Sequence, residues 1–149
     1  MEPFDLRYVA PGTPEYEQAK GIRYECLYGE WGLPETLVED TDGRTYVHLA
    51  AVIDEHVVGY ARLHLQGGDS KLFQVCVTER WRGHGIARAL VLELIGLARR
   101  QGRRQVYLDA RTHVIGMYEK LGFAVEGDEF LSPRTGTPHR VMRLLINPA

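Results

Sequence analysis

Long apolar runs are missing from this sequence. The nearest approach, Ile86 to Ala98, is broken by Arg88, Glu93 and Gly96, short of the ~18–20 residues a membrane-crossing helix needs. Cysteine is scarce: Cys26 and Cys76 alone can build neither a disulfide framework nor a metal cluster. Metal is also unexpected from the histidines, because His48, His56 and His64 lack a supporting acid at ligand spacing. Lysine is nearly absent, with only Lys20, Lys71 and Lys120, a bias that carries no functional reading. Neither sign of charge dominates, since 18 basic and 20 acidic residues leave a net charge of −2. The electrostatic footprint of a nucleic-acid binder is therefore lacking. The opening residues Met1-Glu2-Pro3-Phe4-Asp5 hold no basic flank and no apolar core, so no secretory signal is expected and the location expected is cytoplasmic.

What is present suits one globular domain over 1–149: 44% hydrophobic and 26% charged residues, without repeats or linker-like tracts. Phe4 to Ala10 alternates weakly and predicts a strand. Thr13-Pro14-Glu15 then reads as an N-cap, a proline at the first helical position and an early acid, opening a helix to about Tyr28. The stretch 30–43 reads as irregular or a short helix at best. Tyr46 to Ile53 and Val57 to Gln66 predict a hairpin turned at Asp54-Glu55-His56. A turn at Gly67-Gly68-Asp69 leads to a strand over Lys71 to Thr78. Gly85 to Arg100 is strongly helical, Val106 to Leu108 a short buried strand, Thr112 to Leu121 a second helix, Phe123 to Glu126 and Pro138 to Ile146 further strands. A helix between strands implies a right-handed crossover and a parallel pair. The expected fold is a mixed α/β sheet, antiparallel at the front, with a parallel pair in the middle and helices on both faces.

The most informative stretch runs from Val75-Cys76-Val77 through Arg80-Trp81-Arg82-Gly83-His84-Gly85-Ile86-Ala87. A strand ends, an Arg- and Gly-rich turn follows, and a helix begins at once. Glycine lets the backbone approach a ligand and aim consecutive N–H groups outward. The helix N-terminus adds partial positive charge, and Arg80 and Arg82 add full charges. Such a turn suits a diphosphate. No G-K-[ST] follows, which excludes a nucleoside triphosphatase loop, and the turn is too short for a dinucleotide fingerprint.

Arg82-Gly83-His84-Gly85-Ile86-Ala87 resembles the [RQ]-x-x-G-x-[GA] signature of GCN5-related N-acetyltransferases (GNAT). Tyr118-Glu119-Lys120-Leu121-Gly122-Phe123 resembles their Y-x-x-x-G-F element. Thr137-Pro138-His139 with Met142 resembles the ElaA-like and glyphosate-acetyltransferase-like branch. The resemblance covers roughly 45–146. It implies acetyl-CoA in a cleft where the strands at 72–77 and 106–109 splay. Backbone groups of Val75, Cys76 and Val77 would hold the pantetheine arm, and residues 82–87 the pyrophosphate. It also implies acetyl transfer to a small-molecule amine in a ternary complex, since no acyl-enzyme set is apparent.

Such transfer needs a neutral amine, donors for the developing oxyanion and a proton or a donor for the departing thiolate. Tyr118 is the candidate for the last task; its alternative is a core tyrosine. His139 is the candidate base, since the ordinary imidazole pKa of ~6.5 suits proton uptake near neutrality; its alternative is a strand-end surface histidine. His113 is the second candidate, followed by Glu25, Glu129, Asp109 or a water chain. Many relatives carry asparagine seven residues before the motif tyrosine, where this chain has Arg111, able to grip an anionic group on the acceptor or to pair with Asp109 or Glu119. Glyphosate-acetylating relatives use further arginines where Tyr28 and Gln74 stand here, which argues against a doubly anionic phosphonate. Arg23, Tyr28 and Trp31 are further candidate pocket walls. Rival functions are a non-catalytic acyl-CoA-binding module and acetylation of a protein N-terminus or lysine. Sheet edges in such folds often pair, so a homodimer is a further expectation.

Overall fold

The computed structural model describes residues 3–39 and 44–147. Part of the irregular 30–43 stretch thus lies outside the described residues, as does the Trp31 side chain. One seven-stranded sheet runs β1 (Asp5–Val9), β2 (Tyr46–Ile53), β3 (His56–Gln66), β4 (Asp69–Val77), β5 (Gln105–Arg111), β7 (Pro138–Leu145), β6 (Ala124–Leu131). Every pair is antiparallel except β4 with β5, the mixed sheet expected from the sequence.

The helices α1 (Pro14–Leu27) and α2 (Ile86–Arg100) take opposite faces. Strand alternation decides which residue meets which helix. Leu49, Ala51, Ile53, Ala61 and Leu63 join Leu90, Val91 and Leu94 of α2 in the larger core. Their neighbours Ala50, Val52 and Tyr60 pack instead with Ala19 and Ile22 of α1. The helix start is the expected one, since the Thr13 hydroxyl accepts from the Tyr16 N–H at 3.3 Å, with Pro14 next in line. No helix among the described residues is long and apolar enough to cross a membrane.

Helix and sheet pack closely at Gly59, where a Cβ would stand 3.0 Å from Ile86 Cγ2 and 3.3 Å from Leu90 Cδ1. Gly59→Ala is therefore expected to lower stability by about 1–3 kcal/mol through overpacking, read as a lower denaturant midpoint at constant slope.

Several sequence expectations are corrected. Residues 112–121 are not one helix: a 3₁₀ turn over Thr112–Val114 precedes α3 (Ile115–Lys120). Strand β4 begins at Asp69 rather than Lys71, β5 runs on to Arg111, and β6 to Leu131. Short polar-rich extensions such as Asp109-Ala110-Arg111 gain their strand state from cross-strand partners on β7, which local propensity does not register.

Candidate functional site

Strands β4 and β5 pair only over three positions, Asp69 to Lys71 against Gln105 to Tyr107. Beyond them both strands continue without each other, to Val77 and Arg111. The cause is local. Between the pairs Arg62↔Phe73 and Tyr60↔Cys76, Ala61 faces two residues, Gln74 and Val75. This is a β-bulge, with Gln74 at φ +51°. A non-glycine residue held there stores on the order of 1–3 kcal/mol of strain, and a bulge bends its strand. Strand β4 thereby leaves β5, and a cleft of about 1480 Å³ opens between them.

At the upper end, Thr78 N–H donates to the Val58 carbonyl at 2.9 Å. Alternation then turns the main-chain groups of Cys76 toward β3 and those of Val75 and Val77 toward the cleft. Cys76, expected to offer its backbone, pairs with Tyr60 of β3 and lines the cleft. Arg82 Nε donates to the Val77 carbonyl at 2.9 Å, so the guanidinium folds back over the strand end. Arg80 lies against the Trp81 ring, 5.0 Å from its centroid.

The turn itself keeps the anticipated shape. Gly83 and Gly85 have φ of +80° and +82°, and Gly85 caps α2. A Cβ at either would meet nothing within 4 Å, so backbone conformation alone calls for glycine. His84 Nδ1 lies 3.0 Å from the Arg82 carbonyl and 3.2 Å from that of Trp81, bracing the turn. Ile86 is buried in the larger core and Ala87 packs against it. The first N–H groups of α2 have no intrahelical acceptor, and this glycine-bent end faces the cleft. Bare strand amides beside a helix N-terminus fit a ligand that joins an amide-bearing arm to a diphosphate, as acetyl-CoA does.

Tyr118 on α3 lines the cleft and is buried, edge-on to Phe123 at 5.6 Å. Burial, and secondarily Cys76, raises its pKa well above that of an ordinary phenol. Its hydroxyl makes no hydrogen bond to any described residue. His139, facing Arg111 across β5 and β7, also lines the cleft. Its ring stacks on Phe130 at 5.9 Å, and Nδ1 lies 2.9 Å from the Thr137 carbonyl. A carbonyl only accepts, so Nδ1 carries the proton and Nε2 keeps a lone pair.

The rival bases are placed less well. Asp109 is tied to Lys71 at 3.0 Å, Glu129 accepts from the Thr112 hydroxyl, and Glu25 is exposed on α1 away from the cleft wall. His113 lines the cleft from the exposed 3₁₀ turn.

Arg23, Tyr28 and Gln74 meet in one chain of bonds. Fully buried Arg23 donates from Nε to Gln74 Oε1 at 2.7 Å and from Nη2 to the Val38 carbonyl at 3.0 Å. Gln74 Nε2 in turn donates to the Tyr28 hydroxyl at 3.1 Å. Arg134, in the turn between β6 and β7, donates to the same hydroxyl at 3.1 Å. Sequence reasoning missed Arg134; the only available signal was its place in a Ser-Pro-Arg-Thr-Gly turn five residues before His139.

Cys26 and Cys76 touch below the Arg82 guanidinium, whose Nη2 is 3.7 Å from Cys26 Sγ. The hydrogen bond from Cys76, and then Arg82, pull the Cys26 thiol below the ordinary thiol range despite burial. The same contact and full burial push Cys76 up. Only a thiolate alkylates. Iodoacetamide is therefore expected to label Cys26 with a pH midpoint below the ordinary ~8.5, to spare Cys76, and to show a raised midpoint in Arg82→Gln. A Cys26 midpoint at or above the ordinary value contradicts this geometry.

The same arrangement of elements recurs in solved structures. An aminoglycoside 6'-N-acetyltransferase complexed with coenzyme A superposes with a TM-score of 0.79 at 19% identity, covering 97% of this chain and 98% of that one. Escherichia coli ElaA superposes with a TM-score of 0.76 at 20% identity, covering 96% and 99%. An acetyltransferase of Bacillus subtilis is 32% identical over 95 residues, 64% of this chain; the chain spans 63% of that relative's length. The family model for the acetyltransferase (GNAT) family matches residues 8–123, from β1 through the motif phenylalanine. Because that match takes in most of the chain, the protein belongs to the GNAT acetyltransferase family.

Proposed function

We propose that the protein transfers the acetyl group of acetyl-CoA to the nitrogen of a small-molecule amine by direct attack. The observation that carries this reading is the open edge of β4 leading into the glycine-bent N-terminus of α2. The Val75 main chain and the Val77 N–H hold the pantetheine amides, the Val77 carbonyl being taken by Arg82 and Cys26, and the main-chain groups of Gly83, His84, Gly85, Ile86 and Ala87 take the pyrophosphate. Arg82 acts from its seat on Val77 by bracing the strand end and adding positive charge. The thioester then lies between Tyr118 and His139.

His139 Nε2 accepts a proton from the amine, whose nitrogen forms a bond to the thioester carbon. As the carbon–sulfur bond breaks, the Tyr118 hydroxyl donates a hydrogen bond to the departing thiolate, which takes up the proton that His139 accepted. Burial disfavours a tyrosinate at this position, so the hydroxyl remains a donor throughout. Tyr28, Gln74 and Arg111 form the acceptor side of the cleft.

Calorimetry with coenzyme A, followed by thiol release from acetyl-CoA against amino acids, polyamines, aminosugars and aminophosphonates, tests the reading. Coenzyme A binding with turnover of one acceptor class is expected. Absence of coenzyme uptake overturns it, and uptake without turnover on any amine favours a binding module.

A further inference from the structure

We propose that the acceptor amine carries a carboxylate, held jointly by Arg111 and Arg134; this deepens the transfer reading above and rests on it. The two guanidinium groups come from separate elements, the end of β5 and the β6–β7 turn. They reach consecutive residues at the end of α1. Arg111 Nη2 donates to the Leu27 carbonyl at 3.2 Å, and Arg134 Nη1 to the Tyr28 hydroxyl at 3.1 Å. Each uses one donor of five in these bonds, and among the described residues neither meets a carboxylate. Both line the cleft, on the side of His139, where Arg111 is its register partner.

Tyr28 adds a third donor. Arg23 Nε must donate, which fixes Gln74 with Oε1 toward Arg23 and its amide N–H₂ toward Tyr28. The Tyr28 oxygen thus accepts from both Gln74 and Arg134, filling its two lone pairs. Its own proton has no acceptor among the described residues and is left for the cleft. Two cations and a hydroxyl donor lining one cleft, with both arginines tied to the last residues of α1, match a carboxylate, which accepts at both oxygens.

The surrounding charge agrees. Seven Arg and Lys side chains line the cleft against two carboxylates, Glu30 and Asp109, of which Asp109 is already paired with Lys71. Arg82 and Arg88 flank the α2 loop, so the diphosphate accounts for that end only. A polycationic acceptor would meet like charge here.

The test uses the full chain, acetyl-CoA, and a panel of α-amino acids each matched with its C-terminal amide, plus spermidine and an aminoalkylphosphonate. Free acids are expected to exceed their amides by about tenfold in kcat/KM. Arg134→Gln is expected to collapse that ratio through KM, and Arg134→Lys to restore part of it. A separate readout needs no turnover: calorimetric binding of N-acetyl amino acids, against their amides, to protein saturated with coenzyme A. Tight N-acetyl amino acid binding that Arg134→Gln weakens, without acetyl transfer, sinks the transfer reading and leaves the carboxylate site standing. Equal use of acid and amide, preference for spermidine or for the phosphonate, a ratio indifferent to Arg134, or a panel that neither reacts nor binds overturns the proposal.

Discussion

Tyr118→Phe is expected to lower kcat by ~10²-fold or more while leaving coenzyme A affinity within about twofold. The substitution leaves the packing around the ring undisturbed. The ring packs edge-on against Phe123, and phenylalanine keeps that contact. No described residue hydrogen-bonds the hydroxyl, so its removal orphans nothing and stability should move by less than about 0.5 kcal/mol. What is lost is a hydrogen-bond donor that burial keeps protonated well above the usual phenol range. A thiolate leaving into that apolar corner without a donor is poorly stabilised. Steady-state rates with acetyl-CoA, alongside calorimetry with coenzyme A, check the split. A variant that turns over like the parent would leave Tyr118 as packing alone.

The second large effect is at the base. His139→Ala is expected to cost ~10²-fold in kcat/KM near neutral pH. The cost should shrink as pH rises toward the pKa of the acceptor ammonium, because free amine then forms without help. Rate–pH profiles of parent and variant should therefore converge at the alkaline end, the variant climbing in proportion to hydroxide. A loss constant across pH would make His139 a positioning residue only. The readout is sharp because Nδ1 is committed to the Thr137 carbonyl, leaving Nε2 as the nitrogen available for the proton.

Local pattern made the scaffold and the loop legible. Alternation along β2 and β3 sorts Leu49 and Ala51 from Ala50 and Val52 without knowledge of the partners, and Gly83 and Gly85 sit where a turn needs positive φ. The opening of the sheet was readable only through family resemblance. Its physical cause is Gln74, a residue with no preference for the left-handed region, placed there by its bond to buried Arg23 fifty-one positions away. The chain from Arg23 through Gln74 and Tyr28 to Arg134 joins an internal helix, a strand bulge and a distant turn. No periodicity links such positions. Arg82 shows the same limit from the other side: its charge is plain in the sequence, its fold-back onto Val77 is not.

The family match ends at residue 123, whereas His139 and Arg134 belong to the β6–β7 hairpin that follows. The proposed base and Arg134 thus come from beyond the matched length, while Tyr28, Gln74 and Arg111 lie within it, and the two meet across β5 and at the Tyr28 hydroxyl. Grafting a foreign hairpin onto β5 could retarget the nucleophile while the thioester handle persists, making this terminal ribbon a natural cassette for diversification.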